Sequence, residues 1–253
     1  MSIETRGSTG QNAASGRPLP RVANRLLAAV SARDRELIHN HLEVVALPRG
    51  RVLFEPGDDV STTYFPCHKT MISLLIVTRD GREIEAATIG REGAAGGIVS
   101  GGHKPAFARA VVQIPGAAFA IPTATLAMVK AGSPAFGELF SRYADALLAQ
   151  IMQSVACNAL HSVEERCSRW LLSTHDRAGD QIIHLTQESL AEMLGVQRTT
   201  VTAVVQGLEG RGLVRRHRGR VEIVDRRGLE RAACECYAAV EAHFATMLPE
   251  VAL

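Results

Sequence analysis

LTQESLAEMLGVQRTTVTAVVQGLEGRGLVRRHRGRVEIV, residues 185–224, contains two short amphipathic segments and an arginine-rich hairpin that together decide the fold. Thr186 can cap a first helix, whose apolar positions repeat at helical spacing over about two turns. Gly195 supplies the backbone freedom for a sharp turn. A second helix is predicted to begin near Gln197 or Arg198. Two short helices joined in this way are typical of a helix-turn-helix.

The polar face of these helices is predicted to contact DNA. Arginine can bond guanine edges in the major groove, and threonine can reach phosphates or a thymine methyl group. The polar residues at the two helix starts and along the second helix are therefore the predicted DNA contacts: Thr186, Gln197, Arg198, Thr199, Thr200 and Thr202.

A small β-hairpin, the wing, is predicted after the second helix. Residues 213–217 and 220–224 can pair across Arg218-Gly219, because apolar and polar residues alternate there. Residues 211–220 contain five arginines and no acid, which suits phosphate contacts. A solvated arginine face is the alternative for the wing alone, but turn and wing together favour DNA binding. The predicted phosphate contacts are Arg215, Arg216, Arg218 and Arg220.

The stretch LTQESLAEMLGVQRTTV, residues 185–201, resembles the winged helix-turn-helix of the Crp-Fnr superfamily of bacterial transcription regulators. The family pattern is Thr, an acid or Gln, then Ala-x-x-Leu-Gly, two residues, and Arg-Glu-Thr-Val. Arg198, Thr200 and Val201 fit this pattern, and the resemblance extends over roughly residues 21–240.

Two positions depart from the family pattern. Thr199 stands where many members have a glutamate that accepts from cytosine, and Ala203 stands where the best-known members have a second base-contacting arginine. The DNA sequence recognised by this chain is therefore expected to differ from theirs.

The resemblance implies an α+β fold with an N-terminal antiparallel β-roll similar to a cyclic-nucleotide-binding domain, a long dimerisation helix and a C-terminal winged helix-turn-helix. Composition also predicts a disordered tail, since the first residues are Gly, Ser, Pro and polar. The predicted divisions are the tail at 1–20, an effector-sensing β-roll domain at 21–132, the dimerisation helix at 133–160 and the DNA-binding domain with a C-terminal helix at 161–253.

Turn residues and periodicity support the β-roll. Glycine and proline punctuate residues 46–122, and the stretches between them are short and rich in β-branched residues. The clearest hairpin joins residues 72–78 to residues 83–88 across Asp80-Gly81.

Two further helices are predicted from their apolar spacing. Ser133-Pro134 is a strong helix start. The helix after it has a continuous apolar face, which would be core in a single domain and which the resemblance assigns to a dimer interface of Phe140, Tyr143, Leu147, Ile151 and Val155. A single final helix is predicted along Leu229, Ala233, Tyr237, Val240 and Phe244.

An effector site is expected in the β-roll, but its ligand is unknown. A cyclic-nucleotide pocket of the family has a Gly-Glu pair that holds the ribose and a later Arg-Ser/Thr-Ala that holds the phosphate. Here Glu92 comes too early, and Ala94 or Ala95 stands at the carboxylate position, so cyclic AMP is disfavoured. Arg109 is either a displaced phosphate ligand or an ordinary strand residue. The candidate pocket residues are Glu92, Gly93, Gly96, Gly97 and Arg109.

The five cysteines favour reduced thiols, because their number is odd and their spacing irregular. No cysteine precedes Cys67, which disfavours the iron–sulfur cluster of the family's oxygen-sensing branch. Cys157 and His161 lie on one helical face as candidate metal or haem ligands, with core packing as the favoured alternative. Cys234 and Cys236 lie two apart in a predicted helix and are not expected to share a metal. We therefore expect no metal and no cofactor.

Composition sets the remaining expectations. Hydrophobic residues make up 46% of the chain, and a net charge of +2 means that DNA affinity must come from local clustering. No apolar run approaches the roughly 20 residues of a membrane span, and no signal peptide is evident, so a cytoplasmic protein without a membrane partner is expected.

The resulting hypothesis is a homodimeric, effector-modulated transcription regulator. The expected partners are double-stranded DNA, a second copy of the chain and, for an activator, RNA polymerase. The alternatives are a constitutive regulator without an effector and, less favoured, a haem- or redox-sensing regulator. No nucleophile elbow, phosphate loop or metal-ligand helix motif is present, so an enzyme is not expected.

Overall fold

The computed structural model describes residues 24–100, 102–179 and 182–251; the predicted tail at 1–20 lies outside these residues. The N-terminal part begins with two short helices, continues as strands and ends with a third helix. Its elements are α1 Arg25–Ala29, α2 Ala32–His39, β1 Glu43–Leu47, β2 Val52–Phe54, β3 Thr62–Pro66, β4 Met71–Val77, β5 Glu83–Ile89, β6 Arg109–Ile114, β7 Gly116–Pro122 and α3 Thr123–Gly132.

The C-terminal part consists of one long helix followed by a mixed set of shorter elements. They are α4 Pro134–Leu160, α5 Val163–Ala178, β8 Ile182–Ile183, α6 Gln187–Leu194, α7 Arg198–Gly210, β9 Val214–His217, β10 Arg220–Ile223, α8 Arg226–Ala232 and α9 Cys236–Met247. None of the described helices combines the length and apolar character needed to span a bilayer.

The strands of the N-terminal part form two antiparallel sheets, in the orders β1-β7-β3 and β2-β6-β4-β5. The predicted hairpin is confirmed, because β4 pairs with β5 in a register that places Ile76 opposite Ile84 and Val77 opposite Glu83. Gly81 has a φ of 81° in the connecting turn, a conformation that favours glycine. Antiparallel sheet followed by helices gives the predicted α+β class.

Helix starts follow the predicted caps. The Ser133 hydroxyl accepts from the Phe136 N–H at the start of α4, and Pro134 occupies the first turn. Ser162 and Glu165 form a reciprocal capping box at the start of α5. The wing gains a strand that the sequence analysis did not predict, because β8 pairs with the outer edge of β10.

The predicted single C-terminal helix is wrong. The chain forms α8 and α9, separated where Ala233 takes an extended conformation with φ −83° and ψ 155°. No glycine or proline lies between Leu229 and Phe244 to mark this break. The end of α9 packs on the N-terminal part, since Phe244 and Leu248 share a core with Phe65 of β3.

A second core joins α5, α6 and α7 to the roll. Trp170 of α5, Leu194 of α6 and Val205 of α7 are buried with Met71 and Leu75 of β4 in one apolar cluster. Burial of such side chains contributes about 1.5–3 kcal/mol each. The two parts of the chain therefore share an extensive apolar contact.

Asp176 of α5 anchors the helices that follow the wing. Its carboxylate accepts from Arg226 of α8 at 2.7 Å and from the Tyr237 hydroxyl of α9 at 2.6 Å. Burial acts to raise the pKa of Asp176, but hydrogen bonds from His175, Arg226 and Tyr237 outweigh it and lower the pKa to about 2. The folded state therefore favours the ionised carboxylate.

This low pKa predicts an acid-dependent loss of stability. A carboxyl whose pKa falls from 3.8 to about 2 on folding contributes about 2 kcal/mol above pH 4, and this contribution is lost as pH falls from about 4 to 2. We expect Asp176→Asn to flatten the pH dependence of the unfolding free energy over that window. Equal slopes for the variant and the wild type in urea unfolding would contradict this assignment.

Candidate DNA-binding surface

The helix-turn-helix is built as the sequence predicts. The Thr186 hydroxyl accepts from the Ser189 N–H at 3.1 Å and caps α6. Gly195 ends α6 with φ 63°, in the left-handed region that favours glycine. The inner face of α7 is formed by Val201, Val205 and Leu208, all fully buried. This packing fixes the angle of α7 and leaves its other face to solvent.

The start of α7 is open to an approaching anion. Its N-cap residue, Gln197, makes no side-chain capping bond, and Gln197, Arg198, Thr199 and Thr200 are all exposed. Unpaired N–H groups and the helix dipole make such a helix start attractive to a phosphate. The Arg198 side chain is 66% exposed and lies 3.9 Å from Glu188, a separation at which the contact is weak. Its guanidinium is therefore free to reach a base.

Thr202 differs from its neighbours. It is half-buried, and its hydroxyl lies 2.8 Å from Gln187 Oε1 and 2.9 Å from the Arg198 carbonyl oxygen. These contacts join α7 to α6. The structure thus places Thr202 between the two helices, where it positions α7, whereas the sequence predicted a DNA contact.

The four predicted wing arginines fall into two pairs. Arg215 lies 3.1 Å from Glu222, and Arg216 donates to Glu209 through both its side chain, at 2.5 Å, and its backbone N–H, at 2.8 Å. Bonds from the Arg216 backbone and side chain lower the pKa of Glu209, so that carboxylate stays charged and offsets Arg216.

Arg218 and Arg220 lie at the tip of the wing, on either side of Gly219, whose φ is 73°. Both side chains are exposed, and neither forms an ion pair with any residue in the described part of the chain. They are the arginines best placed to contact phosphates.

The helix-turn-helix also touches the roll, which the sequence analysis did not predict. Arg49 donates to the Ser189 hydroxyl at 2.9 Å, and a Cβ added to Gly195 would lie 3.1 Å from Ile84 of β5. A movement of β5 would thus alter a direct contact with the turn between α6 and α7.

The helix-turn-helix and the wing lie in a segment that matches a known family. Residues 165–232 match the model of the Crp-like helix-turn-helix domain. These residues form a Crp-like helix-turn-helix domain. A search of curated protein sequences finds no match to the chain.

Solved structures extend the likeness to the rest of the chain. FixK2 from Bradyrhizobium japonicum has a TM-score of 0.66 at 13% identity, covering 76% of this chain and 98% of that one. The c-di-GMP responsive global regulator CLP from Xanthomonas campestris has a TM-score of 0.62 at 17% identity, covering 76% and 99%. A Crp/Fnr-family transcriptional regulator from Thermus thermophilus has a TM-score of 0.60 at 18% identity, covering 76% and 98%.

The chain thus combines a Crp-like helix-turn-helix domain with the fold of Crp/Fnr regulators. The family match thus identifies a helix-turn-helix domain, and the solved structures show the fold of the rest of the chain. The shared fold does not identify a ligand for this chain, because proteins of this fold are described with different ligands. CLP is described as c-di-GMP responsive, and a regulator from Silicibacter pomeroyi is described as cAMP-binding. The expectation of no cofactor therefore stays a prediction.

The predicted effector-pocket carboxylate instead joins the roll to the Crp-like domain. Glu92 is 2% exposed, and its Oε1 accepts from the Gly90 N–H at 2.9 Å and from Arg177 Nε of α5 at 3.0 Å. Arg177, 1% exposed, also lies 3.3 Å from Gln150 of α4. The buried ion pair connects the Glu92 segment of the roll with α5 and α4. The Glu92 carboxylate therefore binds Arg177 inside the chain and does not face an open pocket.

The other predicted pocket residues also pack against or bond to neighbours within the chain. A Cβ at Gly93 would overlap the Tyr143 hydroxyl, one at Gly97 would overlap Thr123, and one at Gly96 would approach the Thr62 carbonyl oxygen. The Arg109 guanidinium bonds Glu55 at 2.7 Å and also bonds Glu83, both on the roll. The structure therefore corrects the predicted pocket. Neighbouring side chains and backbone occupy the space beside its glycines, and Glu92 and Arg109 are held in ion pairs within the chain.

The predicted dimer face of α4 is corrected as well. Phe140, Tyr143 and Leu147 are buried in the chain's own core, where Phe140 meets Phe65 edge to face and the Tyr143 hydroxyl donates to the Ala94 carbonyl at 3.0 Å. These side chains are not available to a second copy. Of the other two predicted residues, Ile151 is half-buried against the roll core and Val155 is 67% exposed.

A second apolar face of α4 is open to solvent. Leu148, Met152 and Val155 are 53%, 60% and 67% exposed and follow one another at spacings of four and three residues, which places them in one stripe. We call these three residues the α4 stripe. The helix is thus apolar on two faces, one in the core and one outside.

Proposed function

We propose that the chain is a homodimeric, sequence-specific transcription regulator that binds an inverted repeat through α7. The observation that carries this proposal is the uncapped, exposed start of α7 with Arg198 beside it. Arg198 would contact a base edge in the major groove, with Gln197, Thr199 and Thr200 beside it. Arg218 and Arg220 of the wing would hold the flanking phosphates.

Dimerisation would place two Crp-like domains on one face of the DNA. The α4 stripe provides a self-complementary apolar seam for a second copy, in the heptad-like spacing of paired helices. The domain boundary would fall between the end of α4 at Leu160 and the start of α5 at Val163. Two half-sites centred one helical turn, about 10 base pairs, apart are the expected operator.

Control by a signal at the roll is supported by contact between β5 and the turn of the helix-turn-helix at Gly195. A constitutive regulator is the alternative, and the filled pocket around Glu92 favours it. Titrating operator affinity against candidate small molecules separates the two, because an effector must shift that affinity.

Selection of genomic DNA tests the proposal. Purified full-length chain is mixed at physiological salt with genomic fragments and excess random competitor, and the retained DNA is sequenced. We expect enrichment of one inverted repeat. Retention of unselected fragments, in proportion to length alone, would contradict sequence-specific binding.

The dimer seam gives a prediction of its own. Met152→Glu should place a charge in the apolar α4 stripe and convert the dimer to monomers in sedimentation analysis. Met128→Glu is the matched control, because Met128 is 66% exposed on α3, outside the stripe. Dimers of unchanged stability for Met152→Glu would place the interface elsewhere.

A further inference from the structure

Four potential metal ligands meet where the long helix joins the C-terminal segment. Cys157 lies near the end of α4 and His161 directly follows that helix, whereas Cys234 lies between α8 and α9 and Cys236 begins α9. Their three sulfurs and one ring nitrogen all lie within 4.8 Å of one another. The three cysteines are buried, and the His161 side chain is 15% exposed.

The backbone explains how the four groups converge. Cys157 and His161 are one helical turn apart, and the His161 N–H bonds the Cys157 carbonyl at the last turn of α4. The extended conformation of Ala233 interrupts the helix before Cys234, so that Cys234 and Cys236 face the same side. The expectation that these two cysteines cannot share a metal assumed a continuous helix, and that assumption is wrong.

We propose that these residues form a tetrahedral Cys3His site for a single Zn²⁺ ion. A Zn–S bond of about 2.3 Å places two sulfurs of a tetrahedral site about 3.8 Å apart. Cys157 Sγ lies 3.5 Å from Cys234 Sγ, and Cys236 Sγ lies 3.5 Å from His161 Nδ1. These separations match one ion, whereas an iron–sulfur cluster distributes its ligands over two or more irons and holds those on different irons farther apart.

The surroundings orient the ligands as metal sites require. His161 Nε2 lies 3.2 Å from the Glu235 carboxylate, which leaves Nδ1 turned toward the sulfurs. A carboxylate behind a ligating histidine fixes its tautomer and raises its basicity. Gln153 Nε2 donates to Cys236 Sγ at 3.0 Å and holds that sulfur in place.

The positive charge around the four ligands also suits a zinc–thiolate site. Three thiolates and Zn²⁺ leave one net negative charge, which is costly to bury without a cation nearby. Arg166 and Arg169 of α5 lie beside the thiols, and the Nε of each is buried without a hydrogen-bond partner among the described residues. The bound ion would join the end of α4 to the start of α9, beside α5, at the boundary of the Crp-like domain.

Metal content and spectroscopy of the full-length chain test this proposal. Reduced protein is loaded with Zn²⁺, freed of excess metal and analysed for zinc per chain, and a second sample is loaded with Co²⁺. We expect one Zn²⁺ per chain, a higher Tm on loading, and for Co²⁺ the thiolate charge-transfer and intense visible bands of a tetrahedral site.

Three variants make the assignment specific. Cys234→Ser should lose the zinc and the Tm increase, whereas Cys67→Ser, outside the cluster, should keep both. Glu235→Gln keeps all four ligands and should weaken zinc binding about 10- to 100-fold in competition with a chelator. If Cys234→Ser fails to fold, the zinc affinity of Glu235→Gln still tests the proposed site.

Two results would overturn the proposal. One is wild-type protein that, fully reduced, binds no more zinc than Cys234→Ser or gives an octahedral Co²⁺ spectrum. The other is formation of a Cys157–Cys234 disulfide with no zinc bound by the reduced form, which would make the cluster a redox pair.

Discussion

Replacing Arg177 by methionine is expected to lower the free energy of unfolding by about 3–5 kcal/mol, because it leaves the buried Glu92 carboxylate without its cation. The two side chains are 1% and 2% exposed, so water cannot take the place of the guanidinium. The loss would be a large part of the roughly 5–15 kcal/mol typical of a folded protein. Urea unfolding at a fixed protein concentration measures it.

The double variant Glu92→Gln/Arg177→Met is the control. It removes both charges of the pair and should recover much of the stability lost in Arg177→Met, since the buried Glu92 carboxylate is gone; the longer 3.9 Å contact of Arg177 with Glu241 stays lost. A loss below about 1 kcal/mol for Arg177→Met would show that Glu92 is not held by this pair. Equal losses for the single and double variants would point to packing of the arginine stem instead.

Arg198→Ala is expected to cost about 1–3 kcal/mol of discrimination at one base position of the operator, with little change in affinity for random DNA. The structure supports a base contact, because Arg198 is exposed at the open end of α7 and only weakly held by Glu188. Affinities for the operator and for single-base variants of it, measured at one salt concentration, give the effect at each position.

Arg218→Ala is the matched comparison within the Crp-like domain. It should weaken binding to operator and random DNA alike and reduce the slope of log K against log salt by about 1, as expected for one lost phosphate contact. Arg216→Ala should have a smaller effect, because Glu209 already offsets its charge. Equal losses on operator and random DNA for Arg198→Ala would overturn the role given to α7.

Local signals predicted most of the local structure. The Thr186 cap, the Gly195 turn and the wing turn at Gly219 all depend on short-range chemistry, and each forms as the sequence indicates. The same holds for the capping box of Ser162 and for the β4–β5 hairpin. Caps and turns are visible in sequence because a few neighbouring residues determine them.

Features that depend on distant contacts were not predicted. The periodicity of α4 showed one apolar face, but Phe140 and Val155 lie on different sides of the helix, one in the core and one outside. Periodicity alone cannot say which neighbour covers an apolar residue. Likewise, Glu92 and Arg177 are 85 residues apart, and nothing local marks them as partners.

The cysteine cluster shows the same limit. The sequence places Cys157 and His161 on one face of a helix, but the break at Ala233 that brings Cys234 and Cys236 to them is set by tertiary packing. Asp176 holds Arg226 of α8 and Tyr237 of α9, and these contacts fix the segment between them. Without a glycine or proline at the break, a continuous helix was the natural prediction.

Half-site spacing tests the central claim, a two-fold protein that recognises DNA through α7, most directly. The affinity of the full-length chain is measured for its selected inverted repeat and for the same half-sites moved apart by five base pairs, about half a helical turn. We predict that affinity for the altered DNA falls to that for random DNA, because the second half-site then faces away from its Crp-like domain. Equal affinity for the two spacings would contradict the account.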